Sequence, residues 1–559
     1  MSHYNCLLSL IYFRPQNGSD LVSLISEILN RSLEITRNEL AASLSIDSIC
    51  LLCQNYITNI VSTWKVISLT VRYEKRPKVL KSLSKFYALV PTLKSSKLEY
   101  ENLYNEILVT KLWNPLAGVQ YESIIYLLDA MKSFPHESMS LDQIPENFRE
   151  NMPMPDLTLK RSDIPLSDLE VPGDCFVQLI CKLDTCYLDH VGDLLITYIS
   201  TEINEFRSGT YIVPEKQSEP MNWKKLSKKS ILKAIVHFVI QQATTSKSEN
   251  LVDHSIVVCC LRILSHIYSR PLPPLNWCFL HELIHKTPEI KRYCVKIAAK
   301  QSVISGTAKR LLENFLLNVE NEDDILLAYD VLSDVCNGAS IEVLRTFLES
   351  TLKNANVEIM EKVKCCFQLA KSITNRDSLE VLASSVISIQ DVHDISLVVG
   401  WIPPSILDCC HLPLNKKIIY RFEVLKNDKN MEQPTGWLNE LIEELMRNDE
   451  NQSLFLKSLF DLIQEADHFP RRKWVLENVV FIQNKMVEKT ISKDNVVFLL
   501  QCFIVSIITI SGYYHVLEST EKLFHSENIY NIFPQSLQMM SVESIWDNAM
   551  GTVSKELYI

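Results

Sequence analysis

Glycine is nearly missing from this chain, with 11 in 559 residues. Phosphate-cradling loops, tight hairpins and the first turn of a dinucleotide-binding βαβ unit all draw on glycine, because they need positive φ or close backbone approach. No G-x-x-x-x-G-K-[ST], G-x-S-x-G or G-x-G-x-x-G pattern occurs, so the commonest nucleotide-binding and serine-hydrolase signatures are absent as well. A basic excess is also lacking. The 56 Lys and Arg against 67 Asp and Glu leave a net charge of −11, whereas a dedicated nucleic-acid binder needs a cationic surface to displace counterions. Strand-like alternation is scarce, and Tyr211-Ile212-Val213 is the best short stretch. The apolar run Cys6–Phe13 has no Lys or Arg before it, which makes a poor signal peptide. Nor do the 16 Cys form a disulfide-type framework. Three pairs are adjacent (Cys259–Cys260, Cys365–Cys366, Cys409–Cys410) and the rest are scattered through apolar runs. Such thiols behave as small buried hydrophobes, and a reducing cytoplasm is the expected setting.

What is present is helical periodicity. After Pro77, the residues Val79, Leu80, Leu83, Phe86, Tyr87 and Val90 form one apolar stripe, as on a half-buried helix. Leu311, Leu312, Phe315, Leu316 and Val319 repeat it, and so do Trp437, Leu438, Leu441, Ile442, Leu445 and Met446 behind the start signal Pro434. From 289 to 389 the spacing predicts helices over 289–303, 306–319, 321–336, 339–354, 356–374 and 377–389. A pair takes roughly 35–40 residues, close to the HEAT/armadillo period. The expected fold is therefore all-α, a HEAT/armadillo-like α-solenoid of paired antiparallel helices. Six prolines between Phe134 and Gly173 interrupt the pattern, since proline breaks a helix interior. The expected division is helical repeats over 1–133, an irregular connection over 134–173, and a helical-repeat array over 174–559.

Several stretches imitate chemistry. His281-Glu282-Leu283-Ile284-His285 is an HExxH, the pattern in which zinc peptidases place two His one helical turn apart with the Glu activating water. The third ligand is missing. Pro288 and Lys291 stand where the metzincin extension needs Gly and His, and Glu313 has no supporting motif. On a helical wheel His281 and His285 point away from the stripe of Leu275, Phe279, Leu280, Leu283 and Ile284, so two surface His on a repeat helix is the preferred reading. Cys50 and Cys53 form a CxxC without a second pair, on a face shared with Ile46, Ile57, Ile60 and Trp64, and core packing is expected of them. Cys175, Cys181, Cys186 and His190 match no ligand spacing. The basic stretches Arg72–Lys85 and Lys224–Lys233 read first as solvated helix faces, and second as contacts for an acidic partner, RNA or anionic lipid. Val496–Tyr514 approaches the length of a membrane span but contains Gln501, Ser506 and Thr509, and a central solenoid helix has the same composition. No catalytic, cofactor-binding or metal residue is assigned. The rival function classes are a zinc metallopeptidase built on 281–285 and a membrane-anchored protein built on 496–514.

Three phrases carry a family likeness: Ser140-Leu-Asp-Gln-Ile-Pro-Glu-Asn-Phe148, Leu169-Glu-Val-Pro-Gly-Asp-Cys-Phe-Val-Gln-Leu179, and Asn276–Trp277 leading to Cys294-Val-Lys-Ile-Ala-Ala-Lys-Gln301. Through them the chain, from about residue 100 onward, resembles the carboxy-terminal part of the focadhesin family, large metazoan proteins of HEAT/armadillo-like repeats. The long amino-terminal repeat region of that family has no counterpart in this sequence. The resemblance implies a non-catalytic cytoplasmic scaffold at focal adhesions. Its implied partners are vinculin-type proteins or subunits of the RNA-decay Ski complex, with no DNA, small-molecule substrate or cofactor.

Overall fold

The structure is a computed structural model. It describes residues 19–511, apart from 35–37, 73, 95–96, 119–122, 150–164, 209–225, 245–253, 271, 274, 390–400, 408–409, 411, 428–433, 465–476, 479, 483 and 486–491. Two compact units, residues 1–312 and 313–559, divide the chain. In the first, the main helices are α1 (Val22–Glu34), α2 (Glu39–Gln54), α3 (Ile60–Ile67), α4 (Pro77–Leu89), α5 (Leu98–Glu106) and α6 (Ile124–Met131). They are followed by α7 (Asp174–Lys182), α8 (Leu188–Ser208), α9 (Ile231–Thr244), α10 (His254–Ser265) and α11 (Pro288–Gln301). Helices stack on their layer neighbours rather than simply on the next in sequence. One layer runs α2, α4, α6, α8, α10 and α11, while α3 packs on α5 and α7 on α9 in the other. This is the packing of an all-α solenoid of paired helices.

The stacked helices α2 and α4 run in the same direction and nearly in register. The Glu39 carboxylate accepts the Lys78 amide at 2.7 Å, the Ser43 and Ser82 hydroxyls meet at 2.8 Å, and Lys85 pairs with Asp47 at 3.0 Å. These partners are 38 or 39 residues apart, within the period expected from the sequence. The predicted helix behind Pro77 is α4, with Val79, Leu83, Phe86 and Tyr87 buried. One helix face does not run from Ile46 to Trp64 as expected. The chain turns between α2 and α3, where Tyr56 has a φ of 56° and the Asn59 side chain caps α3 by accepting the Val61 and Ser62 amides. Asparagine and a left-handed residue end one helix and begin another.

Helix carboxy-termini are finished by cations from later in the chain. Arg76 donates to the Ser32 carbonyl of α1 at 3.2 Å, Lys286 to Gln242 of α9 at 3.0 Å, and Lys300 to Ser265 of α10. A cation there meets both the orphan carbonyls and the negative end of the helix dipole.

The proline-rich region takes short 3-10 turns at 136–138, 141–143, 146–148 and 166–168. Ser140 and Glu170 form an antiparallel bridge, and Leu141 donates to the Leu169 carbonyl at 3.2 Å. Phe134, Leu141, Ile144 and Phe148 are buried. Two of the three family-like phrases thus meet. Beside them Gly173 lies against the start of α9: a Cβ built there would fall 2.1 Å from the Ser230 carbonyl oxygen. That atom is backbone, so relief requires moving α9. Gly173→Ala should cost about 3 kcal/mol, read as a lowered urea midpoint, and a midpoint unchanged from wild type would contradict this packing. The buried Glu202 of α8 caps the same helix start, accepting the Ser230 hydroxyl, the Ile231 amide at 3.0 Å and the Leu232 amide at 3.4 Å. Burial pushes its carboxyl up to about 7, against the pull of these donors.

In the second unit the sequence-derived helices are found in order, following the helix Gly306–Leu317: Glu322–Asp330 (α12), Ile341–Thr351 (α13), Val357–Gln368 (α14) and Arg376–Ile389 (α15). The helix expected over 321–336 is split, because Val331 leaves helical geometry (φ −112°, ψ 17°) and Leu332–Gly338 starts anew. Next come α16 (Leu414–Asn427), α17 (Pro434–Leu445), α18 (Gln452–Gln464) and α19 (Lys493–Ser511). α13 stacks on α15, α16 on α18 and α18 on α19. Leu438, Leu441, Phe455, Leu459, Phe498 and Leu499 belong to one core.

Candidate functional site

Where α13 stacks on α15, the side chains facing outward leave a groove of about 680 Å³. Its walls follow from helical spacing. Ile341, Arg345 and Glu349 recur every four residues along α13, and Asp377, Val381 and Ser385 do so along α15, which places each set on one face. Lys416 closes one end, donating to the Ile387 and Ser388 carbonyls at 2.7 and 3.1 Å and so finishing α15. Glu380 is engaged by Arg376 at 3.6 Å. Among the described residues, Arg345, Glu349 and Asp377 enter no ion pair and are exposed. Both signs of charge are therefore presented, uncompensated, across two consecutive repeats. A partner segment with charges in the opposite order would find them unpaired at the surface, where ion pairs steer and select more than they bind.

The HExxH is not carried by a single full helix. Its helical part is one turn, Leu280–Leu283, and His285 lies beyond it. Leu280, Leu283 and Ile284 are buried and Glu282 and His285 exposed, as the helical wheel indicated, while His281, expected at the surface, is half-buried. Glu313 accepts the Ser340 amide at 2.9 Å, at the start of α13. No group of three or more His, Cys, Asp or Glu among the described residues is placed to hold a metal ion. Replacing His281 and His285 together with Gln should change stability within about 0.5 kcal/mol, as for ordinary surface substitutions. Purified protein should carry well under one zinc per chain; stoichiometric zinc lost in the double variant would reinstate the peptidase.

The cysteine motifs are packing. Cys50 and Cys53 are buried in α2, burial pushing both thiols up, and the Cys53 sulfur lies 3.4 Å from the Thr58 hydroxyl. Burial raises Cys175 to about 12 and Cys181 to about 11, whereas Cys186 is exposed. A thiol pushed up in this way is a poor nucleophile and a poor ligand. The basic stretches are partly spoken for. Arg76 pairs with Glu74 at 2.6 Å, and Lys229 pairs with Glu170 at 3.0 Å. Lys224 and Lys225 of the second stretch, and Tyr211–Val213, lie outside the described residues. No helix among the described residues is long and apolar enough to cross a membrane, and α19, which carries most of 496–514, is packed on α18.

The groove escaped the sequence reading because its residues are ordinary exposed charges, seen as a set only once α13 and α15 are stacked. The nearest signal was their four-residue spacing.

The family model described as Focadhesin/RST1, DUF3730 matches residues 2–116, ahead of the phrases that carried the resemblance. Focadhesin of Homo sapiens is 29% identical over 208 residues, which is 35% of this chain and 11% of that protein. Focadhesin of Mus musculus is 30% identical over the same shares, and that of Danio rerio 26% identical over 37% of this chain and 12% of its own length. The matched part thus spans about a tenth of those relatives. Among solved structures, the exportin Cse1 in its cargo-free, cytoplasmic state aligns over 99% of this chain and 66% of its own, with 15% identity and a TM-score of 0.36. A Kap121p mutant aligns over 98% and 55%, with 10% identity and a TM-score of 0.29.

Proposed function

We propose that this focadhesin-like chain is a non-catalytic helical scaffold that binds protein partners in the cytoplasm. The observation that carries the reading is the groove on α13 and α15, where, among the described residues, Arg345, Glu349 and Asp377 enter no ion pair across stacked repeats. Such a surface needs no cofactor and no dedicated residue chemistry, which suits a solenoid that recognises extended segments. The likeness to focadhesins favours vinculin-type focal-adhesion proteins or Ski complex subunits as partners, and focal adhesions as one location. Residues 1–133 and 174–559 would be the repeat arrays, with 134–173 as the connection that joins them.

Affinity purification from cells, quantified by mass spectrometry against the variant Arg345→Glu/Asp377→Lys, tests the reading. A partner recovered with the wild-type chain should fall at least tenfold with the variant, because two surface contacts change sign while no buried group is touched. Identical recovery would remove the groove from the function. A zinc-dependent cleavage activity would remove the scaffold reading itself.

A further inference from the structure

The charges of the groove on α13 and α15 stand in a definite order. Asn337, just ahead of α13, accepts the amide of Thr374, just ahead of α15, at 2.8 Å across 37 residues. The two packed helices therefore start side by side and run in the same direction. An offset of about that length sets Asp377 level with Ile341, Val381 level with Arg345, and Ser385 level with Glu349. Successive rungs lie about 6 Å apart, four residues of about 1.5 Å rise. Along the groove the exposed charges that enter no ion pair among the described residues thus read negative at Asp377, positive at Arg345 and negative at Glu349. The α15 side adds two half-buried hydroxyls, Ser384 and Ser385, which make no hydrogen bond among the described residues. Ser388 differs, because its hydroxyl donates to the Ser385 carbonyl at 2.8 Å.

We propose that this groove receives an extended segment of a partner protein in which a basic, an acidic and a basic side chain, each separated by one small residue, meet Asp377, Arg345 and Glu349 in turn. Side chains on one face of an extended chain recur every second residue, at about 6.7 Å. That is close to the spacing of the rungs, and the long Lys side chain absorbs the difference. An extended backbone also brings open N–H and C=O groups that need partners, and the Ser384 and Ser385 hydroxyls can supply them. A bound helix satisfies those groups internally and would leave both hydroxyls idle. Order rather than net charge carries the selectivity, since a segment with its charges permuted sets like against like. The proposal rests on the scaffold reading and names the partner chemistry of that same groove.

The full chain should be titrated into fluorescein-labelled Gly-Lys-Ser-Glu-Ser-Lys-Gly and followed by anisotropy. Parallel peptides carry the reversed charges (Gly-Glu-Ser-Lys-Ser-Glu-Gly), the same composition reordered (Gly-Lys-Ser-Lys-Ser-Glu-Gly), or the Lys, Glu and Lys set four residues apart in an alanine-rich helix. The first peptide should bind saturably with a Kd on the order of 1 mM or tighter, at least tenfold better than the reversed peptide and threefold better than the reordered one. Asp377→Lys/Arg345→Glu/Glu349→Lys, all at exposed positions, should invert the preference between the first peptide and its reverse. Ser384→Ala/Ser385→Ala should weaken the first peptide at least threefold and keep the charge preference. Equal binding of the first and reordered peptides, no inversion in the triple variant, indifference to the serine substitutions, tighter binding of the helical peptide, or no saturable binding at all would each overturn the assignment. Failure here with cellular partners still lost in Arg345→Glu/Asp377→Lys would refute the extended segment alone. Order-selective binding with no cellular partner recovered would refute the scaffold reading and leave the charge order standing.

Discussion

Leu499→Asp should destabilise the second unit by at least about 4 kcal/mol, enough to unfold much of it at room temperature. Leu499 is fully buried in α19, in one core with Leu441, Phe455 and Phe498, and the Phe455 and Phe498 rings stand 6.1 Å apart. An aspartate there loses the apolar transfer energy, leaves a cavity and brings an ionisable group with no partner. Leu499→Met keeps volume and polarity and should cost less than about 1.5 kcal/mol. Urea unfolding followed by circular dichroism, with limited proteolysis to locate the loss, reads both variants. Equal stability of the Asp and Met variants would mean that α19 is not packed as described. Carbonate-resistant membrane association of the wild type would point instead to the bilayer as its environment.

Glu202 should make stability depend on pH in the direction opposite to that of an ordinary salt-bridged carboxylate. Its folded pKa is raised from 4.5 to about 7, chiefly by burial, with the nearby Glu137 charge adding to the rise and the Ser230, Leu232 and Ile231 donors opposing it. Between those values the folded state holds a proton that the unfolded state has released, so stability is greatest below about 4.5 and falls as pH rises toward about 7. The whole window is worth about 3 kcal/mol. His136, His237 and His266 have lowered proton affinities and contribute with the opposite sign, while the buried Asp174 adds to the Glu202 trend. The difference between wild type and Glu202→Gln is therefore the quantity to measure. Glutamine cannot ionise but retains an acceptor for the amides of α9, so the variant should lose most of the decline between pH 5 and 7. Parallel curves for the two proteins would show that Glu202 titrates normally and that its burial is not as described.

The helical layers were legible because their cause is local. Val79, Leu83 and Phe86 fall on one face through the 3.6-residue period alone, and the same arithmetic found the helices from 288 to 389 and turned His285 toward solvent. The break between α2 and α3 was missed because Cys53, Ile60 and Trp64 are all buried on either side of it, so the apolar pattern continues through the turn. Only the asparagines at 55 and 59 marked it. Contacts between repeats were not legible at all. Glu202 finds the start of α9 across 28 residues, and His136 finds Phe176 and Tyr198 across an irregular connection. Nothing in the spacing of these residues encodes such meetings, since the depth at which each helix sits in its layer decides them.

The cations that finish helix carboxy-termini have an order in time. Arg76 serves Ser32, Lys286 serves Gln242, Lys300 serves Ser265 and Lys416 serves Ile387 and Ser388. In each case the donor is synthesised after the helix it completes, by 28 to 44 residues. A chain leaving the ribosome would therefore carry each of these four helices for a time with terminal carbonyls that only water satisfies, until the later cation emerges and closes it.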